Sequence, residues 1–157
     1  MIFTADPGVN TGVALFDPLT TRLVACGLVR FDGFRVVAGF WPWPSQGQLL
    51  TVVIVEIPQV YSAAQQKGRQ KDVVATAVRG GIIIGDVMAK MPRALGCVLK
   101  TPTPHEWKGN VDKAIHNNRV LARLDEQERA FLPTTRTSAL HNVLDACGLG
   151  LKHLGRM

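Results

Sequence analysis

The sequence has few of the residues that define several common protein classes. Its three cysteines, Cys26, Cys97 and Cys147, lie far apart, and no two form a Cys-x-x-Cys pair. This argues against a disulfide framework or a cysteine zinc site. No apolar run approaches roughly 18 residues, the length a membrane-spanning helix needs. The opening MIFTADPG also lacks the basic start of a secretory signal, so we expect a cytoplasmic protein.

Acidic residues are also scarce. There are 12 Asp and Glu against 18 Lys and Arg, which gives a formal net charge of +6. Such an excess suits a polyanionic partner, because neutralising phosphates releases counterions. Hydrophobic residues make up 46% of the chain, a globular composition. At this length we expect one domain over residues 1–157.

The hydrophobic pattern predicts an α/β protein. Short β-branched runs predict strands at 1–5, 12–16, 23–31, 34–40, 51–57 and 97–100. Asp32-Gly33 predicts a hairpin turn between the third and fourth runs. Helical spacing predicts helices from after Tyr61 to about Lys90, and at 104–108, 113–124 and 135–154. The order indicates a mixed sheet with helices packed on it.

Two acidic residues lie at the ends of predicted strands. Asp6 ends the first strand and precedes Pro7-Gly8, where a ligand can approach the backbone, although Asp-Pro-Gly is also ordinary turn chemistry. Glu56 follows the apolar run TVVIV. A charge in a doubly buried strand is costly unless it is paired or bound to a metal. The alternative interpretation is that Glu56 lies on an edge strand and faces solvent.

A third acidic residue, Asp145, lies in the last predicted helix, with His141 and Asn142 one turn before it. A surface Asp beside a His is common, so Asp145 gains meaning only together with Asp6 and Glu56. Three carboxylates suit a hard divalent cation such as Mg²⁺. A pair of ions could activate water and stabilise the leaving oxygen of a phosphodiester.

Several motifs, in this order along the chain, resemble the RuvC family of Holliday junction resolvases. They are Asp6-Pro-Gly-x-Asn-x-Gly, Val55-Glu56 with Gln59-Val60-Tyr61, Trp107-Lys108-Gly109 with Lys113, and Leu144-Asp145-Ala146. The resemblance implies an RNase H-like fold with a five-stranded mixed sheet flanked by helices. It also implies a homodimer that nicks opposing strands of four-way DNA symmetrically, with two Mg²⁺ ions per site, for which Mn²⁺ may substitute.

The resemblance assigns roles to individual residues. Asp6, Glu56 and Asp145 become catalytic metal ligands. Where the family usually has a further acid or His, this chain has Asn142, with His141 one step earlier. Asn142 could coordinate a metal through its amide oxygen, and His141 could bind a metal or activate water, so the fourth ligand stays open. The DNA-binding candidates are Tyr61, Lys67, Arg69, Lys71, Lys108 and Lys113. We expect Tyr61 to stack on an unpaired base, with a boundary Tyr at a helix start as the alternative. Trp107 is expected to be a core anchor.

Three other functions fit part of the pattern. A debranching nuclease for flaps and forks would use the same residues. An actin-like or sugar-kinase nucleotide-binding protein shares the Asp-x-Gly-x-x-x-Gly opening, but needs two duplicated domains. A non-catalytic binder of branched DNA would gain nothing from three carboxylates near phosphates. The dimer interface is open, with a helix face around Gly81 and Gly85 as one hypothesis.

Overall fold

One six-stranded sheet organises the described part of the protein. The computed structural model describes residues 1–45, 48–60, 69–90, 96–134 and 139–157. The strands are β1 (Ile2–Asp6), β2 (Asn10–Phe16), β3 (Leu23–Asp32), β4 (Arg35–Gly39), β5 (Val52–Val55) and β6 (Val98–Lys100). Their order across the sheet is β4-β3-β2-β1-β5-β6.

The pairing of the strands confirms the expected mixed sheet. Strands β1 to β4 form an antiparallel meander, whereas β5 pairs parallel to β1 and β6 pairs parallel to β5. The expected number of five strands is wrong. The additional strand is β4, the outer arm of the hairpin at Asp32-Gly33, where Gly33 has φ +57°. Positive φ is costly for other residues but not for glycine.

Five helices complete the described part of the chain. They are α1 (Gln70–Lys90), α2 (Pro104–Lys108), α3 (Lys113–Arg123), α4 (Glu126–Arg129) and α5 (Leu140–His153). The short helix α4 was not predicted, since four residues are too few for a hydrophobic period. The helix α5 begins at Leu140, and residues 135–138, where the last helix was expected to begin, lie outside the described residues. No described helix is long and apolar enough to cross a membrane.

Alternation along the strands divides the core into two layers. Ile2 and Ile54 point to the face covered by α3 and α5. Phe3 and Val55 point to the opposite face, where Ile83 of α1 packs. Since side chains alternate along a strand, the residue that follows Val55 and the residue that follows Ala5 both face α3 and α5. Those residues are Glu56 and Asp6.

Glycine allows α5 to lie directly on the sheet. A Cβ on Gly12 would overlap the backbone of Asn142, and one on Gly150 would overlap the ring of Phe16. The Thr4 hydroxyl also donates a 2.6 Å hydrogen bond to the Ala146 carbonyl. These contacts fix the height and rotation of α5 over β1 and β2, and therefore the position of Asp145.

Candidate functional site

Two carboxylates lie side by side where neighbouring parallel strands end. In the β1–β5 register, Ala5 is the partner of Val55, so Asp6 comes next to Glu56. The Glu56 amide continues the ladder by donating to the Ala5 carbonyl at 2.9 Å. Ligands of open α/β sheets bind outside the carboxyl ends of parallel strands, which is where both side chains lie.

Asp145 approaches the pair from α5. It is 6% exposed, and Glu56 is 8% exposed. The two carboxylates share one cation, because Lys108 Nζ lies 3.1 Å from Asp145 Oδ2 and 3.6 Å from Glu56 Oε2. Buried charges are stable only when paired or coordinated. The structure therefore brings Asp6, Glu56 and Asp145 to one place, with the Lys108 ammonium against two of them.

Lys108 comes from α2, a single turn that follows β6. Thr103 and Glu106 form a capping box at its start, with Pro104 at the first position, a combination that favours helix initiation. The Pro102 carbonyl accepts a hydrogen bond from the Ile57 amide at 3.0 Å. That bond holds the start of α2 beside the end of β5.

Two aromatic residues support the carboxylates from behind. Trp107 Nε1 donates a 2.5 Å hydrogen bond to Glu56 Oε2. His116 Nε2 lies 3.2 Å from Asp145 Oδ1. The two rings meet edge to face with centroids 4.9 Å apart. One aromatic pair thus touches a carboxylate from β5 and a carboxylate from α5.

The sequence analysis missed the role of both aromatic residues. Trp107 is buried in the core as expected, but its indole N–H also holds Glu56. His116 was not identified at all. A signal was present, because His116, Val120 and Leu124 recur every four residues and all three are buried. A histidine on the apolar stripe of a helix needs a polar partner, and that partner is Asp145.

The three carboxylates differ in their affinity for protons. Burial, reinforced by the negative charges of Glu56 and Asp145, raises the pKa of Asp6 well above its ordinary value. Burial also raises the pKa of Glu56, although the Lys108 charge and the Trp107 hydrogen bond oppose the shift. Asp6 therefore keeps its proton to a higher pH than an exposed aspartic acid does.

Asp145 behaves in the opposite way. Burial alone would raise its pKa, but the contacts with His116 and Lys108 outweigh burial and lower the pKa. Burial likewise would lower the pKa of Lys108, and the attraction of Glu56 and Asp145 raises it instead. Asp145 and Lys108 are thus an ionised pair, whereas Asp6 has no Lys, Arg or His within ion-pair distance among the described residues.

The donor chemistry fits a divalent cation. Three oxygen-bearing side chains converge, and burial together with the charges of Glu56 and Asp145 raises the pKa of Asp6 despite Lys108 and Lys113. Carboxylate oxygens are the ligands that Mg²⁺ prefers. Among the residues that the structure describes, no group of three or more His, Cys, Asp or Glu side chains is arranged to hold a metal ion.

The remaining ligand candidates lie on the first turns of α5. Asn142 donates its amide N–H to the Asn10 carbonyl, a contact that ties the start of α5 to β2. His141 is half-buried one turn before Asp145. The choice between them as fourth ligand stays a prediction.

The candidate DNA-binding residues fall into three groups. Lys108 pairs with the carboxylates, and Lys113 joins it, with Val111, His116 and Asp145, in lining a cavity of about 180 Å³. Arg69 and Lys71 are exposed at the start of α1. Tyr61 and Lys67 lie outside the described residues.

Among the comparisons with known proteins, only the one with solved structures found similar proteins. No protein-family model matches the sequence, and no curated protein matches it significantly. The fold is similar to a structure of RuvC from Thermus thermophilus, with 15% identity and a TM-score of 0.42, over 97% of this chain and 92% of that chain. It is also similar to RuvC from the same organism in complex with a Holliday junction substrate, with 14% identity and a TM-score of 0.41, over 97% and 90% of the two chains. The residues of the site, and not this similarity, carry the function proposed below.

Proposed function

We propose that the protein is a metal-dependent endonuclease that nicks four-way DNA junctions symmetrically. The observation that supports this most is the meeting of Asp6, Glu56 and Asp145 at the carboxyl ends of β1 and β5. A basic chain of net charge +6 with a carboxylate cluster at its binding edge suits a polyanion bound through divalent cations.

The carboxylates would hold two Mg²⁺ ions, with Mn²⁺ as a substitute. When bound, such ions supply activation of a water nucleophile and stabilisation of the leaving oxygen. The added positive charge would lower the pKa of Asp6, which burial and the charges of Glu56 and Asp145 raise. Trp107 and His116 would hold Glu56 and Asp145 in place as the charge at the site changes.

Lys108 would act on the substrate as well as on the carboxylates. It lies 3.1 Å from Asp145 and lines the adjoining cavity with Lys113. A cation in that place can bind a non-bridging oxygen of the phosphate and spread the negative charge that develops on it. Arg69 and Lys71, exposed at the start of α1, would contact the DNA backbone farther away.

A homodimer is part of this proposal, because two opposed nicks in one junction need two sites. Light scattering of the free protein tests it. If the protein has the mass of one chain when free, and only one chain binds each junction, the symmetric mechanism is wrong.

The decisive experiment offers one labelled four-way junction, one fork and one linear duplex to the protein, with Mg²⁺ or Mn²⁺. Symmetric nicks in the junction are expected, and Asp6→Asn should abolish them. The matched control is Asp86→Asn, which makes the same change in an exposed pair with Lys90 and should cleave normally. Equal cleavage of the fork would assign the broader debranching activity. If the protein binds the junction but cleaves nothing with either metal, the proposed nuclease activity is wrong.

A further inference from the structure

A second cavity, about 340 Å³ in volume, adjoins the carboxylate site. It lies between α2, α3 and the last turn of α5, and we call it the α3–α5 basic pocket. Its lining residues are Trp107, Lys108, His116, Arg119, Arg123, Lys152 and Met157. Because Lys108 and His116 also line the cavity that contains Asp145, the two spaces share a wall.

The lining of the α3–α5 basic pocket carries one sign of charge. Four of its residues are Lys or Arg, and no Asp or Glu side chain lines it. Lys108 is paired with Glu56 and Asp145. Within the described ranges, Arg119, Arg123 and Lys152 have no carboxylate at ion-pair distance. Their charges therefore add up in the cavity without internal compensation.

Glu128, which Arg156 links to Arg123, is already paired with another cation. Glu128 forms a two-point ion pair with Arg156, at 2.6 and 2.8 Å. Arg156 in turn donates to the Arg123 carbonyl at 2.6 Å. Glu128 also accepts the Leu23 amide at 2.7 Å. The Glu128 carboxylate is paired with Arg156 and the Leu23 amide, and it forms no ion pair with the guanidinium of Arg123.

The arrangement of the cations favours an anion with several oxygens. Arg119 and Arg123 are one turn apart on α3, where uncompensated like charges destabilise a helix slightly. An anion held between them would reverse that effect. Guanidinium groups bind phosphate oxygens with paired hydrogen bonds, and Lys152 adds a point charge from α5. A cleft lined by one sign of charge also concentrates the field.

We propose that the α3–α5 basic pocket binds a phosphate group, and that the natural carrier of this group is a nucleic-acid strand leaving the carboxylate site. The second half rests on the proposed nuclease function. A volume near 340 Å³ is in the range of small-ligand sites, enough for a phosphate with its sugar. Lys108 and His116 line both cavities, so a strand bound at the carboxylate site would pass close beside the α3–α5 basic pocket.

The test measures junction binding in EDTA by fluorescence anisotropy over a series of salt concentrations. Arg119→Gln and Lys152→Gln should each weaken binding by about five-fold and lower the salt slope by about one unit for each phosphate that the variant no longer neutralises. Arg35→Gln removes the same charge from β4 at the far edge of the sheet, and should change binding by less than about two-fold. If all three variants have the same junction affinity and the same salt slope, the proposed phosphate site is wrong.

A second arm separates this proposal from the nuclease function. Deoxyadenosine monophosphate is titrated calorimetrically into the wild type and into Arg119→Gln/Arg123→Gln. Should the wild type bind no DNA, the nuclease proposal fails, yet nucleotide binding that the double variant lacks still establishes a phosphate site for a free nucleotide. If the protein binds neither ligand, or the double variant binds both like the wild type, the pocket proposal is wrong. Unchanged thermal melting of the double variant excludes misfolding as the cause.

Discussion

The indole N–H of Trp107 donates a 2.5 Å hydrogen bond to the Glu56 carboxylate. This bond joins α2, which follows the edge strand β6, to the end of the inner strand β5. A hydrogen bond to a charged group contributes about 1.5–3 kcal/mol. It favours the ionised form of Glu56, against the burial that raises the pKa of that carboxyl.

Trp107→Phe should therefore impair cleavage at low pH. The ring stays but the donor is removed, so the pKa of Glu56 rises further above its ordinary value. Because the ionised carboxylate is the form that binds a cation, the acid limb of the rate profile should move to higher pH. We expect about ten-fold slower cleavage on the acid limb of the profile, since about 1.4 kcal/mol is one factor of ten. Trp43→Phe, at an exposed ring, is the control. A profile that superimposes on the wild type would disprove the role of Trp107.

Asp6→Asn should make the metal-free protein more stable at neutral pH. The folded-state pKa of Asp6 is raised by burial and by Glu56 and Asp145. Its contribution to stability is thus fully present below the unfolded pKa and is lost as pH rises through the folded pKa. Thermal melts in EDTA should show Asp6→Asn above the wild type at pH 7, with a smaller difference near pH 4. If the wild type melts at a higher temperature than Asp6→Asn at pH 7, the Asp6 carboxylate does not destabilise the metal-free fold.

Divalent metal should reverse that order. At a ten-fold excess over its dissociation constant, a ligand of the folded state adds about 1.4 kcal/mol. For a protein of this size this corresponds to roughly 4 °C in Tm. Mg²⁺ or Mn²⁺ should raise the Tm of the wild type and leave that of Asp6→Asn unchanged, while Asp86→Asn follows the wild type. Equal shifts in all three proteins would place the metal elsewhere.

Arg156→Gln should destabilise the fold. Glu128 is only 1% exposed, and without Arg156 its charge stays buried and poorly compensated, which costs about 3 kcal/mol. Chemical denaturation should show this decrease, with a Tm lowered by roughly 6–12 °C. Arg35→Gln, an exposed control, should change little. A stability within about 0.5 kcal/mol of the wild type, the scatter of surface substitutions, would disagree with the buried pair.

The same pair predicts a pH dependence at the acid end. Burial would raise the pKa of Glu128, but the Arg156 hydrogen bonds and the Leu23 and Asp125 amides lower it from 4.5 to about 2. A lowered folded pKa contributes stability above the unfolded value, and that stability disappears as pH falls toward about 2. Unfolding free energies between pH 5 and pH 2.5 should decline less in Arg156→Gln than in the wild type.

Gly12→Ala should damage both fold and site. The new Cβ would overlap the Asn142 backbone, so α5 would have to move off β2 and take Asp145 with it. Overpacking of this kind costs about 1–3 kcal/mol. Gly81→Ala is the matched control, because nothing lies within 4 Å of a Cβ there and alanine favours the helix. Denaturation midpoints should fall for the first variant and hold or rise for the second; two equal midpoints would contradict the close approach.

Local pattern predicted most of the elements. The β-branched run before Glu56 and the alternation through β1 follow from the two-residue period of a strand. Asp32-Gly33 predicted the hairpin, and the end of α1 at Lys90 agrees with the periodicity. The resemblance implied five strands and so left no place for β4, whereas the hydrophobic run at 34–40 had predicted that strand correctly. The Thr and Ser residues expected to cap the last helix, at 135–138, lie outside the described residues.

The sequence by itself determined which residues are acidic, which strands are apolar and where the chain turns, since these depend on neighbours only a few residues away. It identified Glu56 as a carboxylate that needs a partner. Only the tertiary structure decided what those partners are. Trp107 lies 51 residues from Glu56, and Lys108 lies 37 residues from Asp145. Such contacts depend on how α2 and α3 pack against the sheet, which no local period encodes. The same packing placed Arg119, Arg123 and Lys152 around one cavity, with no carboxylate of the described residues at ion-pair distance.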